Sequence, residues 1–108
     1  MFKTIKKGNE ISDLFNSGER VSFKYFYVFY FLSDDPRIAF IAGKKLGNSV
    51  TRNHLRRKLK RLYIENNFWF QNKKAIIVAK HSLLSANDKE IKRNFKKVVN
   101  RIDKSNSK

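Results

Sequence analysis

Between Asp35 and Glu65 the chain has no carboxylate, and within that gap it runs Gly43-Lys44-Lys45-Leu46-Gly47-Asn48-Ser49-Val50-Thr51-Arg52-Asn53-His54-Leu55-Arg56-Arg57-Lys58-Leu59-Lys60-Arg61. Charge spread evenly over a surface keeps a protein in solution, whereas cations gathered on one element with no acids to neutralise them make a docking surface for a polyanion. On a helical wheel Asn53, Arg56, Arg57, Lys60 and Arg61 fill the arc opposite Leu55, Leu59, Leu62 and Tyr63. One face anchors the helix and the other is open to phosphates. A solvated helix face is the plain alternative, and two details weigh against it. Ser49 stands where an N-cap is needed. Three residues on, where a capping box would set Glu against the positive end of the dipole, the chain has Arg52, at a cost of a few tenths to about 1 kcal/mol. Nor do glutamates stand at helical spacing to pair these cations internally.

The entrance to this helix has the same chemistry. Lys44, Lys45 and the amides of Gly47 and Asn48 are placed to bind phosphate. Asn53, donor and acceptor at once, suits a 2′-hydroxyl or a hydrated Mg²⁺ held on an RNA; otherwise it is an exposed amide near a helix start. Bond cleavage by the chain itself finds no support. Metal-free acid–base chemistry needs a positioned pair, and the only two histidines, His54 and His81, fall on different segments. The nine carboxylates are scattered, only Asp34 and Asp35 being adjacent, and these read as a turn rather than a metal site. Without cysteine there is no thiolate nucleophile, disulfide or thiolate metal centre. The expectation is no catalytic residue and no bound metal in the protein alone.

A chain of 108 residues makes one domain, buries roughly 60–70 % of its unfolded surface, and supports one core. A formal charge of +16 makes the compact state repel itself, so an anionic partner stabilises it. The start, Met1 to Lys7, lacks the apolar stretch of a signal peptide, and the longest hydrophobic run, Tyr25 to Leu32, falls well short of the roughly 20 residues that cross a bilayer. A soluble, cytoplasmic protein is expected.

These residues must be positioned by a small set of elements. Asn9 is placed to cap a first helix carrying Ile11, Leu14 and Phe15, closed by Gly18 in a left-handed conformation. Arg20 to Leu32, rich in aromatic and β-branched residues, reads as one strand with an irregularity near Phe23, and Arg37 to Gly43 as a second, the two forming an antiparallel hairpin across Pro36. The basic helix runs from Ser49 to near Asn66 or Asn67. Ala75 to Ala79 suits a buried strand, and Trp69 a plug at the core edge. Ser85-Ala86-Asn87-Asp88 resembles a capping box before a last helix whose inner face is Ile91, Phe95, Val98, Val99 and Ile102. Residues 1–8 and 103–108 read as flexible ends. The sum is an α+β domain, a single sheet packed with helices. Along the first strand, Tyr25, Tyr27, Phe29 and Phe31 share one face and Phe26, Val28, Tyr30 and Leu32 the other. Only one of these faces is needed for the core.

The segment Gly43 to Arg57 resembles the signature of the bacterial ribonuclease P protein subunit: a Lys-Lys pair, a Gly-Asn turn and an Arg-Asn-Arg opening a basic helix. Here His54 stands where the family usually has Arg, which weakens one phosphate contact. The resemblance implies a ribosomal protein S5 domain 2-like fold with a left-handed βαβ crossover through the basic helix. It also implies a role: joining a catalytic RNA that removes the 5′ leader of precursor tRNA, with the Mg²⁺ and active site belonging to the RNA. Lys44, Lys45, Asn48, Arg52, Asn53, His54, Arg56, Arg57, Lys60 and Arg61 would then contact RNA. Ile11, Phe15, Tyr27 and Phe29 would line the groove for the single-stranded leader, although Phe15 is equally suited to packing on the sheet. No DNA or membrane partner is implied. The rival reading is a structural or chaperone RNA-binding protein, such as a small ribosomal protein, with the strand aromatics in the core. A cationic membrane binder fits the charge but not the strands.

Overall fold

A computed structural model describes residues 3–106, with side chains through Asp103. The elements are α1 (Gly8–Ser17), β1 (Glu19–Ser22), β2 (Phe26–Leu32), β3 (Arg37–Ile41), α2 (Ser49–Glu65), β4 (Lys73–Ala79) and α3 (Asp88–Asn106), with 3-10 turns at Lys44–Leu46, Asn67–Phe70 and His81–Ser85. As expected, the architecture is α+β with one sheet. Its strand order, β1-β2-β4-β3, is not the one the sequence suggests.

β2 and β3 do not form a hairpin. β4 lies between them, antiparallel to β2 and parallel to β3, so α2 is part of a crossover from β3 to β4. The reason is burial. Ala75, Ile76 and Ile77 have no solvent exposure, and three consecutive apolar residues exclude water on both faces only in the middle of a covered sheet. The long aromatic run instead breaks at Phe23–Tyr25 and folds back on itself, β1 pairing antiparallel with β2. This break is tied to the rest of the molecule: the Lys24 amide donates to Asn94 (2.9 Å), Ser82 Oγ to the Lys24 carbonyl (2.9 Å) and Tyr25 Oη to Glu90 (3.2 Å). Tyr25 is thereby buried in the core and not on the face that alternation assigns it with Tyr27.

The two sheet faces differ. One carries Phe26, Val28, Ile38, Ala75 and Ile77 and is covered by Leu55, Leu59 and Leu62 of α2 and by Ile91, Phe95 and Val99 of α3. Phe23 stacks on Phe26 at 4.8 Å and on Phe95 at 5.3 Å, and Trp69 closes the cluster edge-on. The other face is covered only in part, by Leu14 and Ile11 of α1 and by Ile5, over Ile76. Glu10 of α1 reaches Lys74 of β4 at 3.3 Å and fastens the helix to the sheet.

The described parts of the ends join the packed body more than their composition suggests, residues 1, 2, 107 and 108 lying outside the described residues. Thr4 bridges Ile38, Ile5 is buried, and Asp35 binds both Arg37 (2.9 Å) and Lys3 (3.2 Å). The Arg37 hydrogen bond, and after it that of Lys3, hold the Asp35 carboxyl below the usual carboxylate range. α3 continues to Asn106, past the expected end at Ile102. Its cap is Asn87, whose side chain accepts from the Glu90 amide at 2.9 Å. α1 begins one residue before Asn9, which does not cap it: the Asn9 side chain bonds the next amide only.

Gly18 serves close approach rather than a left-handed turn. Its φ is −72°, open to any residue. An added Cβ, however, would sit 2.6 Å from the Leu14 carbonyl oxygen and 3.2 Å from that of Tyr30. We expect Gly18→Ala to lower the unfolding free energy by about 1–3 kcal/mol, the usual cost of forcing atoms into filled space. The urea midpoint measures it, and an unmoved midpoint would show that α1 yields freely there.

Candidate nucleic-acid interface

The helix that carries the charge is capped by Asn48, not Ser49: Asn48 Oδ1 accepts from the Thr51 amide at 2.9 Å. Arg52 is thus the fourth helical residue. Ser49, Val50 and Thr51 leave the first turn without an acid. Gly47, at φ 142°, has the backbone that glycine alone adopts readily, and turns the chain from Lys44–Leu46 into α2. Its amide bonds the Lys44 carbonyl (3.3 Å) and is therefore not free for phosphate. Lys44, Lys45 and Asn48 are exposed on this turn.

Asn53, Arg56, Arg57 and Lys60 come together, as their spacing requires, around a cleft of about 320 Å³ whose floor is Phe40 of the edge strand β3. Asn53 accepts a hydrogen bond from Arg56 through Oδ1, leaving its NH₂ group for a ligand. Arg52 is half-buried, and its Nε has no hydrogen-bond partner within the protein. His54 and Arg57 are exposed. Two cations of the run behave otherwise. Arg61 is paired with Asp88 of α3. Lys58 turns inward and donates to the carbonyls of Leu83 (3.0 Å) and Ala86 (2.8 Å), fastening α2 to the turn before α3. Beyond Lys60 a neighbouring cleft is bounded by Asp34 and Asp35. The cationic ridge therefore extends from Lys44 to Lys60.

The half-covered sheet face holds the aromatic groove. Phe15 is 42 % exposed and meets Phe29 edge-on at 4.9 Å, Tyr27 follows at 6.5 Å from Phe29, and Ile11 packs into the small cluster beside them. Tyr27 and Phe29 are half-buried. Register puts Ser22, Tyr27, Val78 and Ile41 in one row across the sheet. From Ile41 the chain passes directly to Lys44 and Lys45, so the groove and the helix ridge lie on two sides of β3 and meet at the basic turn. Two further cations frame Tyr27, and the sequence alone does not single them out: Lys80 Nζ lies 4.3 Å and Arg20 Cζ 4.9 Å from its ring centroid. The signal that finds them is cross-strand register, which a single segment does not contain.

Among the described residues no three His, Asp or Glu side chains gather to hold a metal ion, and no helix is long and apolar enough to cross a membrane. His54 and His81 lie on α2 and on the turn after β4.

An α+β sheet whose open aromatic face ends at a basic turn, with a cationic helix behind it, defines a small polyanion-binding domain. The sequence pattern of the family described as Ribonuclease P matches residues 2–103. The chain is 35 % identical over 100 residues to the ribonuclease P protein component of a Nitratiruptor species, covering 93 % of this chain and 92 % of that one. It is 38 % identical over 66 residues to that of Natranaerobius thermophilus, covering 59 % and 57 %. Among solved structures, the RNase P protein of Staphylococcus aureus superimposes with a TM-score of 0.77 at 21 % identity, covering 94 % of this chain and 96 % of that one. The Thermotoga maritima protein gives 0.77 at 14 % identity, covering 92 % and 96 %. The chain belongs to the ribonuclease P protein family, and its fold is that of the solved RNase P proteins.

The different use of two neighbouring cations is testable. Lys58→Met keeps the aliphatic stem but removes the bonds to α3's approach, and we expect a loss of about 1–3 kcal/mol in stability with polyanion affinity per folded molecule unchanged. Arg57→Met is expected to do the reverse. Urea unfolding alongside heparin binding separates the two, and equal stability of both variants would refute the anchoring role.

Proposed function

We propose that this chain is the protein subunit of ribonuclease P, which binds the catalytic RNA and grips the 5′ leader of precursor tRNA while the RNA makes the cut. The observation that carries this reading is the partly open aromatic row of exposed Phe15 and half-buried Phe29 and Tyr27, on the sheet face that leads to the basic turn. A folded-RNA holder of the small ribosomal type needs the cations but has no use for aromatic rings left open beside them. Single strands, with unstacked bases, do: each base stacked on an aromatic ring contributes roughly 1–3 kcal/mol.

This reading divides the labour among the site residues. Lys44, Lys45, Asn48, Arg52 and Asn53 stand where groove and ridge meet and contact both the leader and the catalytic RNA. His54, Arg56, Arg57 and Lys60 face the catalytic RNA. Arg61 joins them only by leaving Asp88. Ile11 supports Phe29 as a wall of the groove rather than as a stacking surface. Hydrolysis proceeds on Mg²⁺ held by the RNA, and the protein contributes substrate affinity. The partners are the ribonuclease P RNA and precursor tRNA, in the cytoplasm, with neither DNA nor membrane involved.

Adding the purified protein to the RNA subunit is expected to restore precursor tRNA cleavage at low Mg²⁺, chiefly by tightening substrate binding; activity indifferent to the protein would remove the proposal. Arg56→Ala or Lys60→Ala should weaken RNA binding across sequences and flatten its salt dependence by roughly one log–log unit per lost phosphate contact. Phe29→Ala should reduce affinity for precursors with a leader by roughly ten-fold, in line with one lost stacking contact, and leave leaderless tRNA bound as before. Equal losses on both substrates would contradict the groove.

A further inference from the structure

Tyr27 sits at the end of the aromatic row away from Phe15, and two cations frame its ring. Lys80 Nζ, 4.3 Å from its centroid, also donates to Ser22 Oγ (2.8 Å) and to the Phe23 carbonyl. This ammonium is fixed. It ties the end of β4 to the β1–β2 break and holds the ring from one strand end. Arg20 is different. It projects from the edge strand β1, is exposed, and has its guanidinium 4.9 Å from the same centroid. Among the described residues neither cation pairs with a carboxylate. Glu19, next in sequence, lies opposite Tyr30 and so points to the other face of the sheet.

We propose that Arg20 and Lys80 complete a nucleotide subsite on Tyr27, at the end of the leader groove one step past Phe29. The inference rests on the leader-binding reading. In the free protein the Arg20 guanidinium lies on the Tyr27 ring and shields it from water. A leader base takes that place on the ring, and the guanidinium, displaced but on a flexible stem, pairs with the adjoining phosphodiester. Arg suits this exchange because its planar cation stacks on a ring or forks onto a phosphate with little reorganisation. Lys80, its donors engaged by β1, is a positioning residue that fixes Tyr27. The 6.5 Å between the Tyr27 and Phe29 centroids is about the reach of one extended nucleotide step.

The test uses holoenzyme reconstituted with the catalytic RNA and precursor tRNAs whose leaders lengthen one nucleotide at a time. The native protein is expected to gain affinity in steps, the last of them on reaching Tyr27. Arg20→Ala should abolish that last step, roughly ten-fold, with a salt slope lower by about one unit, while shorter leaders and leaderless tRNA bind unchanged. Arg20→Lys should keep the slope and lose part of the step. Tyr27→Leu should lose the step. An Arg20→Ala defect equal at every leader length, or absent at every length, overturns the subsite while leaving the groove at Phe29 intact. If the native protein shows no dependence on leader length and Phe29→Ala is equally indifferent, the leader reading itself fails and the subsite with it.

Discussion

β4 between β2 and β3 is the constraint on which the other features rest. A strand with Ala75, Ile76 and Ile77 wholly out of water requires cover above and below, so helices must lie on both faces of the sheet. α2 and α3 together cover most of one face. α1, ten residues long, covers the other only in part. The uncovered remainder is the aromatic groove. The parallel pairing of β3 with β4 also obliges the chain to cross over, and the crossing element is the cationic helix. The groove and the ridge are thus two results of one strand placement, and they meet where the chain leaves β3.

Charge is arranged on this frame with a clear division. Some cations serve the protein: Lys58 holds carbonyls, Lys74 and Arg61 pair with acids, and Lys80 ties strand ends together. Lys73 is the extreme case. It is buried with its ammonium 4.2 Å from the Trp69 centroid and 2.7 Å from the Trp69 carbonyl, and burial pushes its pKa below the usual lysine range, with Asp103 pulling partly back. The formal +16 therefore overstates what a ligand meets. Of what remains, one block lies on the basic turn and the first turns of α2, where the local sequence has no carboxylate, and another on the exposed side of α3, at Lys89, Lys92, Arg93, Lys96 and Lys97. That concentration opposes folding of the free protein and is relieved by an anionic partner, which couples stability to binding.

Much of this is legible in the residues, and the failures have physical causes. The basic helix, its leucine stripe, the buried last strand and the inner face of α3 are properties of single segments, and periodicity reports them. Pairing between strands is not such a property. A hairpin of β2 and β3 is the local default, and only the demand for cover around Ala75–Ile77 excludes it. Similarly, a helical wheel places Arg61 with Arg57, but it cannot know that Asp88 approaches from α3. Gly18 reads locally as a residue chosen for dihedral freedom, whereas the fold uses its lack of a side chain. Arg20 and Lys80 are far apart along the chain, and only the sheet brings both to Tyr27. A left-handed crossover is implied by the resemblance alone, since general packing rules favour the right.

The position of Trp69 has a practical side. It is the one tryptophan of the chain, enclosed by Phe23, Phe70, Phe95 and Tyr30 on the sheet face opposite the groove. Its ultraviolet emission therefore reports on the integrity of the interior and is blind to occupancy of the opposite surface. Phe15 and Phe29 carry no comparable fluorophore. The molecule thus holds an optical gauge of its fold that a bound nucleic acid does not disturb by contact, so unfolding and complex formation are separable signals in one sample.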